Sequence, residues 1–351
     1  MPGYSLGSME VTSAPPPATL AAAPAKRISI VVPLLNEEDN LRELHQRLCR
    51  TLERLGLRRE IIFVDDGSTD ASARVIRELS AADPTVVGLS FSRNFGHEAA
   101  STAGLDYATG DAAVLIDADL QDPPEVIEQL VEAWNQGNDV VYAVRHRRQG
   151  ESLFKKVTSW LFYRLMNWLS DVPIPVDTGD FRLVDAKVLK ALRNCREYDR
   201  FVRGLVSWAG FRSAAIKYDR PPRHAGVTKY RPLKLLLLSL DAAVGFSVKP
   251  LRLATILGFV TMLISCILVG VLVIQKIFHI PMPFGGYALL ASGMFFLGGV
   301  QMLMFGILGE YVGRSYRQVQ GRPLYIIAET IQAGSPATSV PSSATEGPTH
   351  A

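Results

Sequence analysis

Between Lys26 and Ala143 the chain alternates short apolar runs with longer segments of helical period. The runs at 28–34 (ISIVVPL), 60–65 (EIIFVD), 86–91 (VVGLSF), 113–118 (AVLIDA) and 139–144 (DVVYAV) are rich in β-branched residues and of strand length. Between the first two, Leu41, Leu44, Leu48, Leu52 and Leu55 recur at steps of three and four, one face of a helix that Gly56 stops. A second helix is expected over 123–137, with prolines at its first turn and Gly137 at its end. This order predicts a mainly parallel sheet covered by helices, with ligands beyond the carboxyl ends of the strands.

The pattern changes after residue 250. Leu253 to Ile274 is 22 residues without a charge. At about 1.5 Å per helical residue this crosses a hydrocarbon core of roughly 30 Å. A second uncharged run, Ile280 to Gly309, carries Pro281 and Pro283 near its start and leaves a usable span of 287–308. Together they predict a helical hairpin. Lys249 and Arg252 precede it and Arg314, Arg317 and Arg322 follow it, so the positive-inside tendency puts both large ends in the cytoplasm. Two further segments, 153–169 and 232–248, are expected to be amphipathic helices lying at the membrane surface. The expected divisions are a disordered tail over 1–26, a catalytic domain over 27–231, a juxtamembrane helix over 232–250, the hairpin over 251–309, a cytosolic segment over 310–332 and a disordered tail over 333–351. The first 25 residues lack a basic start and a continuous apolar core, so they do not read as a signal peptide.

Composition narrows the field. The 351 residues are 48% hydrophobic and 20% charged, which excludes disorder throughout. A net charge of +3 is too small for a dedicated nucleic-acid binder. Three cysteines, Cys49, Cys195 and Cys266, have neither disulfide nor zinc-motif spacing and read as reduced thiols. Arg193 and Arg196 beside Cys195 suggest a lowered thiol pKa.

The acids stand where the strand-end rule puts a site. Strand one ends in Pro33-Leu34-Leu35-Asn36-Glu37-Glu38, strand two in Asp65-Asp66-Gly67-Ser68-Thr69-Asp70, and a later strand in Asp117-Ala118-Asp119-Leu120-Gln121-Asp122. One such end could be a helix N-cap; three that converge read as oxygen ligands in one crevice. Asp117 and Asp119, with the Gln121 amide oxygen, suit Mg²⁺ or Mn²⁺ shared with a phosphorylated substrate. No Walker lysine loop and no G-x-G-x-x-G occur in the first 250 residues. His97, a lone histidine after a strand, reads as structural.

The motifs VVPLLNEEDNL, VDDGSTD, SRNFGHEAA, DADLQDPPE, DTGDFRL, RFVRGLVSWAGF, RHAGVTKY and LGEYVGRSYRQVQGRPLYII resemble the bacterial polyprenyl-phosphate glycosyltransferases. These belong to an inverting family of GT-A (Rossmann-like) fold that also holds dolichol-phosphate mannose synthase, and the likeness runs from about Ile28 to Ile327. DTGDFRL and RFVRGLVSWAGF are more similar to the bactoprenol glucosyltransferase branch than to the aminoarabinose branch. The resemblance implies transfer of one sugar, glucose from UDP-glucose, to undecaprenyl phosphate at the cytoplasmic face of the inner membrane, and a tetramer. It assigns Pro33, Asn36, Glu37, Asp65 and Asp66 to the donor nucleoside, and Asp117, Asp119 and Gln121 to the metal. Asp180 would be the base, or a positioning group, since a phosphomonoester with a second pKa of about 6 barely needs deprotonating. Arg200, Arg203, Arg223 and Lys229 would hold the acceptor phosphate. A polysaccharide synthase of the same fold and a non-catalytic nucleotide-sugar scaffold are the alternatives.

Overall fold

The computed structural model describes residues 26–145, 178–219, 249–278 and 286–333. The expected helices at 153–169 and 232–248, together with both tails, lie outside the described residues.

The strands β1 (Arg27–Leu34), β2 (Arg58–Asp65), β3 (Val86–Phe91), β4 (Ala112–Leu115), β5 (Val140–Arg145), β6 (Thr178–Asp185), β7 (Ser213–Tyr218) and β8 (Ile327–Gln332) form one sheet in the order β7-β5-β6-β4-β1-β2-β3-β8. Pairing is parallel for β1 with β2, β1 with β4, β2 with β3 and β5 with β7. It is antiparallel for β4 with β6, β5 with β6 and β3 with β8. The sheet is therefore mixed. The apolar runs foretold β1 to β5, whereas β6, β7 and β8 come from segments with no such run, and every antiparallel pairing involves β6 or β8. Of the run at 113–118 only 113–115 fall in the four-residue β4, and its last three leave the strand as the site loop begins.

The helices are α1 (Leu41–Arg54), α2 (Ser72–Ala82), α3 (His97–Tyr107), α4 (Ile127–Asn135), α5 (Ala186–Asn194), α6 (Val202–Trp208), α7 (Lys249–Ile277) and α8 (Gly286–Val319). A 3₁₀ turn at Pro124–Val126 leads into α4. Side chains alternate along each strand, so β1 sends Ile28, Ile30 and Val32 to one face and Val31 to the other. The first face packs on Leu41, Leu44, Leu48 and Leu52 of α1 and on Ile127, Leu130 and Val131 of α4. The second packs on Ala100 and Ala103 of α3, Val188 and Leu192 of α5, and Leu205 and Val206 of α6. Burial on both faces explains why the parallel strands read as unbroken apolar runs. The α3 helix lies so close to β1 that a Cβ on Gly104 would stand 2.1 Å from Val31 Cγ1.

Helices α7 and α8 are long and apolar enough to cross a membrane over Ala254–Ile277 and Ser292–Val319. Large apolar side chains on them, such as Phe259, Phe295 and Met302, are exposed among the described residues. The second helix continues past its apolar stretch into a charged end. There Arg314 and Arg317 reach Asp199 at 3.5 and 2.8 Å, and Gln318 bonds the backbone at Arg196 and Tyr198. The chain then re-enters the sheet as β8, anchored by Arg77 on Glu329 and by Tyr325 stacked on Phe91. Through its pairing with β3, β8 joins the segment after the two apolar helices to the same sheet as the strands before them.

Candidate functional site

Two loops leave the carboxyl ends of β1 and β2 side by side, since Leu34 is in register with Asp65. Their backbones are laced by side chains. Asn36, in the left-handed region at φ 57°, accepts from the Thr69 N–H at 2.8 Å, while its own N–H donates to Ser68 Oγ at 2.9 Å. The Glu37 N–H donates to Ser72 Oγ, and the Glu38 carboxylate accepts from the Ala71 N–H. Pro33 is buried in β1, in register with Val64 of β2. Asp65 is 3% exposed and accepts from the Ser68 N–H and the Ser90 hydroxyl. Asp66 accepts from the N–H groups of Phe95 and Gly96. Burial raises its pKa, and those two N–H groups oppose the rise. Gly67 fits here because its φ is 73° and a Cβ would stand 2.7 Å from the Arg93 carbonyl carbon.

Asp66 thereby fixes the first turn of α3, and the next residue is His97. Its Nε2 stands 3.3 Å from Asp180 Oδ2, on β6, and 3.9 Å from Asp117 Oδ1, just beyond β4. Arg203, in the first turn of α6, grips Asp180 with two hydrogen bonds of 2.6 Å. Arg182, fully buried, holds the backbone oxygens of Gly179 and Asp180. The Glu98 carboxylate accepts from the Val202 N–H at 2.9 Å and so ties α3 to the helix carrying Arg203.

The charges settle accordingly. Burial alone would push Asp180 up, but hydrogen bonds from Arg203 and His97 hold it far below the usual carboxylate range. Burial pulls the His97 imidazole down, and Asp180 and Asp117 more than offset it, lifting it to about 9. Asp117 is raised to about 6, chiefly by burial, with His97 opposing and Asp180, Asp119 and Asp122 adding to it. Glu37 is raised by burial and by Asp119, which brings the first loop into electrical contact with the third. The Asp119 carboxylate accepts from the Gln121 N–H at 3.1 Å across the turn made by Leu120 at φ 56°.

Of the residues singled out in the sequence, Asp117, Asp180 and Arg203 therefore meet around His97, while Asn36, Glu37, Asp65 and Asp66 form an adjoining wall. Arg200 does not join them. Its guanidinium donates to the Cys195 and Leu192 carbonyls and closes the end of α5, where unsatisfied carbonyls attract a cation. Arg223 and Lys229 lie outside the described residues. The expected low pKa of Cys195 is corrected: burial raises it, because Arg193 is spent on the Leu105 and Ala108 carbonyls and Arg196 on Asp106. His97, which the sequence alone reads as structural, stands at the meeting point, and Glu98 and Arg182 carry no signal in the sequence that singles them out. The strand-end rule applied to β3 would have pointed to His97, which follows that strand on the same edge of the sheet as the acids.

Asp117 and Asp119 supply hard oxygens; burial is the main cause of the rise at Asp117 and the neighbouring Asp180, Asp119 and Asp122 add to it, and a divalent cation would oppose both. Asp119 contributes to the rise at Asp117, so two of the expected donors are neighbours. Asp180, paired with Arg203 and His97, has a carboxylate oxygen within 4.8 Å of one on Asp117, so the acids and the cations meet at one point.

Residues 29–193 match the family described as Glycosyl transferase family 2. The chain is 46% identical over 302 residues to the uncharacterized glycosyltransferase YkcC of Bacillus subtilis (strain 168), covering 86% of this chain and 93% of that one. It is 41% identical over 304 residues to the SfII prophage-derived bactoprenol glucosyl transferase of Shigella flexneri, with 87% and 98% covered. Among solved structures it is similar to mannosyl-3-phosphoglycerate synthase from Rubrobacter xylanophilus, with a TM-score of 0.44, 18% identity, and 64% of this chain and 74% of that chain covered.

Proposed function

Because the chain belongs to glycosyltransferase family 2, we propose that it transfers one sugar, glucose from UDP-glucose in our reading, to a polyprenyl phosphate at the cytoplasmic face of a membrane. The observation that carries this is the meeting of strand-end acids with Arg203 and His97 in a chain that covers nearly the whole of a bactoprenol glucosyl transferase.

In this reading Asn36, Glu37, Asp65 and Asp66, shaped by Pro33, receive the nucleoside. Asp65 and Asp66 already hold the loop through partly buried hydrogen bonds, so the nucleoside meets a wall that is set before it arrives. Asp117, Asp119 and the Gln121 amide would hold Mg²⁺ or Mn²⁺, which supplies positive charge against the leaving diphosphate. The acceptor phosphate is met by Arg203, by the His97 imidazolium and, from outside the described residues, by Arg223 and Lys229. Asp180 works as a positioning group. A carboxylate held so far below its usual range is a poor proton acceptor, and a dianionic phosphate needs none. Its task is to aim Arg203 and His97 at the acceptor oxygen in line with the anomeric carbon. The return of the chain into the sheet as β8 supports a hairpin that leaves the membrane on the side it entered.

The test is to incubate the purified full chain in detergent with Mg²⁺ or Mn²⁺, a panel of UDP- and GDP-sugars and a short polyprenyl phosphate, and to weigh the lipid product. A hexose added from UDP-glucose, lost in Asp119→Ala, is the expected result. No transfer from any donor overturns the reading.

A further inference from the structure

On the opposite edge of the sheet from the site just described, three side chains converge that the transfer reaction does not use. His45 and Cys49 stand one turn apart on α1, and Asp83 caps the end of α2 just before β3 begins. His45 Nε2 lies 3.1 Å from Asp83 Oδ2 and 3.5 Å from Cys49 Sγ, and Cys49 Sγ lies 3.8 Å from Asp83 Oδ2. All three are partly or wholly withdrawn from solvent.

Both neighbours meet the same ring nitrogen. That is not the geometry of a proton relay, in which acid and nucleophile occupy opposite nitrogens of the imidazole. Nε2 carries one proton at most, so it cannot serve a carboxylate and a sulfur as a straight donor to each. The triangle has another meaning. With bonds of about 2.3 Å to sulfur and about 2.0 Å to nitrogen and oxygen, one face of a tetrahedral zinc site has edges of about 3.3 Å between N and O and about 3.5 Å from either to S. The observed edges of 3.1, 3.5 and 3.8 Å lie close to these.

From this agreement we propose that His45, Cys49 and Asp83 form a second metal site, separate from the catalytic one, that takes a zinc-type divalent cation with a water in the fourth position. Nitrogen, sulfur and oxygen together are a borderline donor set that suits zinc better than magnesium. The outer partners are in place. The Thr85 N–H and hydroxyl donate to Asp83 Oδ1, and Arg59 donates to Asp83 Oδ2 at 3.2 Å while also reaching Glu53 and Thr85. Ligating carboxylates are commonly oriented by such second bonds, and Oδ2 keeps a lone pair for the ion. Burial raises the Cys49 thiol to about 11, with Arg59 opposing, so the metal-free site holds a proton there. Binding therefore forms a bond from the ion to Sγ and releases that proton to solvent. The ion would pin α1 to the turn between α2 and β3.

The test needs no sugar transfer and is independent of the proposed function. Purified full chain stripped with chelator is titrated with Co²⁺, and thiolate binding is read as a near-ultraviolet charge-transfer band. One equivalent is expected to give the band in the unaltered chain and in Asp117→Asn, and none in Cys49→Ser. His45→Ala should weaken Co²⁺ binding at least tenfold. A chain without the band, or a band that survives Cys49→Ser and disappears in Cys195→Ser or Cys266→Ser, overturns the proposal. Circular dichroism of the variants separates loss of the site from loss of the fold.

Discussion

Replacing Asp117 by Asn should make the metal-free protein more stable while removing its activity. The folded-state pKa of Asp117 is displaced upward from 3.8 to about 6, mainly by burial. A raised carboxylate pKa favours the folded chain below the unfolded value, and the benefit is lost as pH climbs through about 6; above that, ionised Asp117 works against the fold. That displacement corresponds to roughly 3 kcal/mol, an upper figure that falls to about 2 kcal/mol because the side chain is 30% exposed and partly screened. Asn keeps the shape without the charge, and His97 retains its bond to Asp180. For a body of this size about 2 kcal/mol is a rise of roughly 4–8 °C in thermal midpoint. The assay is thermal unfolding of the detergent-solubilised chain in chelator, followed by tryptophan fluorescence at about pH 7.5 and about pH 5, two values that bracket the raised pKa. The gap should shrink at the lower pH, where wild-type Asp117 is largely protonated. Mn²⁺ should stabilise the wild type and not the variant. A variant that melts at or below the wild type at the higher pH, or a gap indifferent to pH, refutes the reasoning.

The two arginines of the acceptor motif should part company. Arg203→Ala leaves Asp180 without its bidentate partner and should lower kcat/KM by about two orders of magnitude or more, whereas Arg200→Ala removes a helix-end cap and should cost about 1–2 kcal/mol of stability with kcat/KM per folded molecule within a few-fold; steady-state kinetics beside thermal melts would show it. Gly104→Ala forces a methyl into Val31 and should destabilise by about 1–3 kcal/mol, read as a lower melting temperature. Ending the chain at Gly321 removes β8 and uncovers the edge of β3, so fluorescence-detected size exclusion should show aggregate instead of a single peak.

What could be read in the sequence follows from how each strand is buried. Strands β1, β2 and β3 are apolar on both faces, and their runs coincide with the observed strands to within a residue or two. In contrast, β6 carries Asp180 and Arg182 inside it, and a buried arginine in a strand of mixed character gives no apolar signal. The outermost strand β7 alternates between intermediate and exposed positions, and β8 finds its partner across the whole hairpin, a pairing that no local pattern encodes. The same division holds in the site. Acids at strand ends were legible because their place depends on topology alone. The part of His97 depends on how α3 approaches β4 and β6, and the contrast between Arg200 and Arg203 depends on where α6 begins. Three residues apart in sequence, one falls back on the carbonyls of α5 and the other enters the crevice.

The pairing of β3 with β8 also imposes an order of assembly. Every other strand of the sheet is synthesised before the first apolar helix, so the nascent body carries an open edge at β3 until the chain has passed through α7 and α8 and come back. An open edge invites pairing with another chain. The last strand thus acts as a latch that closes only after the hairpin has turned round. A molecule whose second helix fails to return cannot complete its sheet, and the same open edge that makes it prone to aggregate would mark it as unfinished.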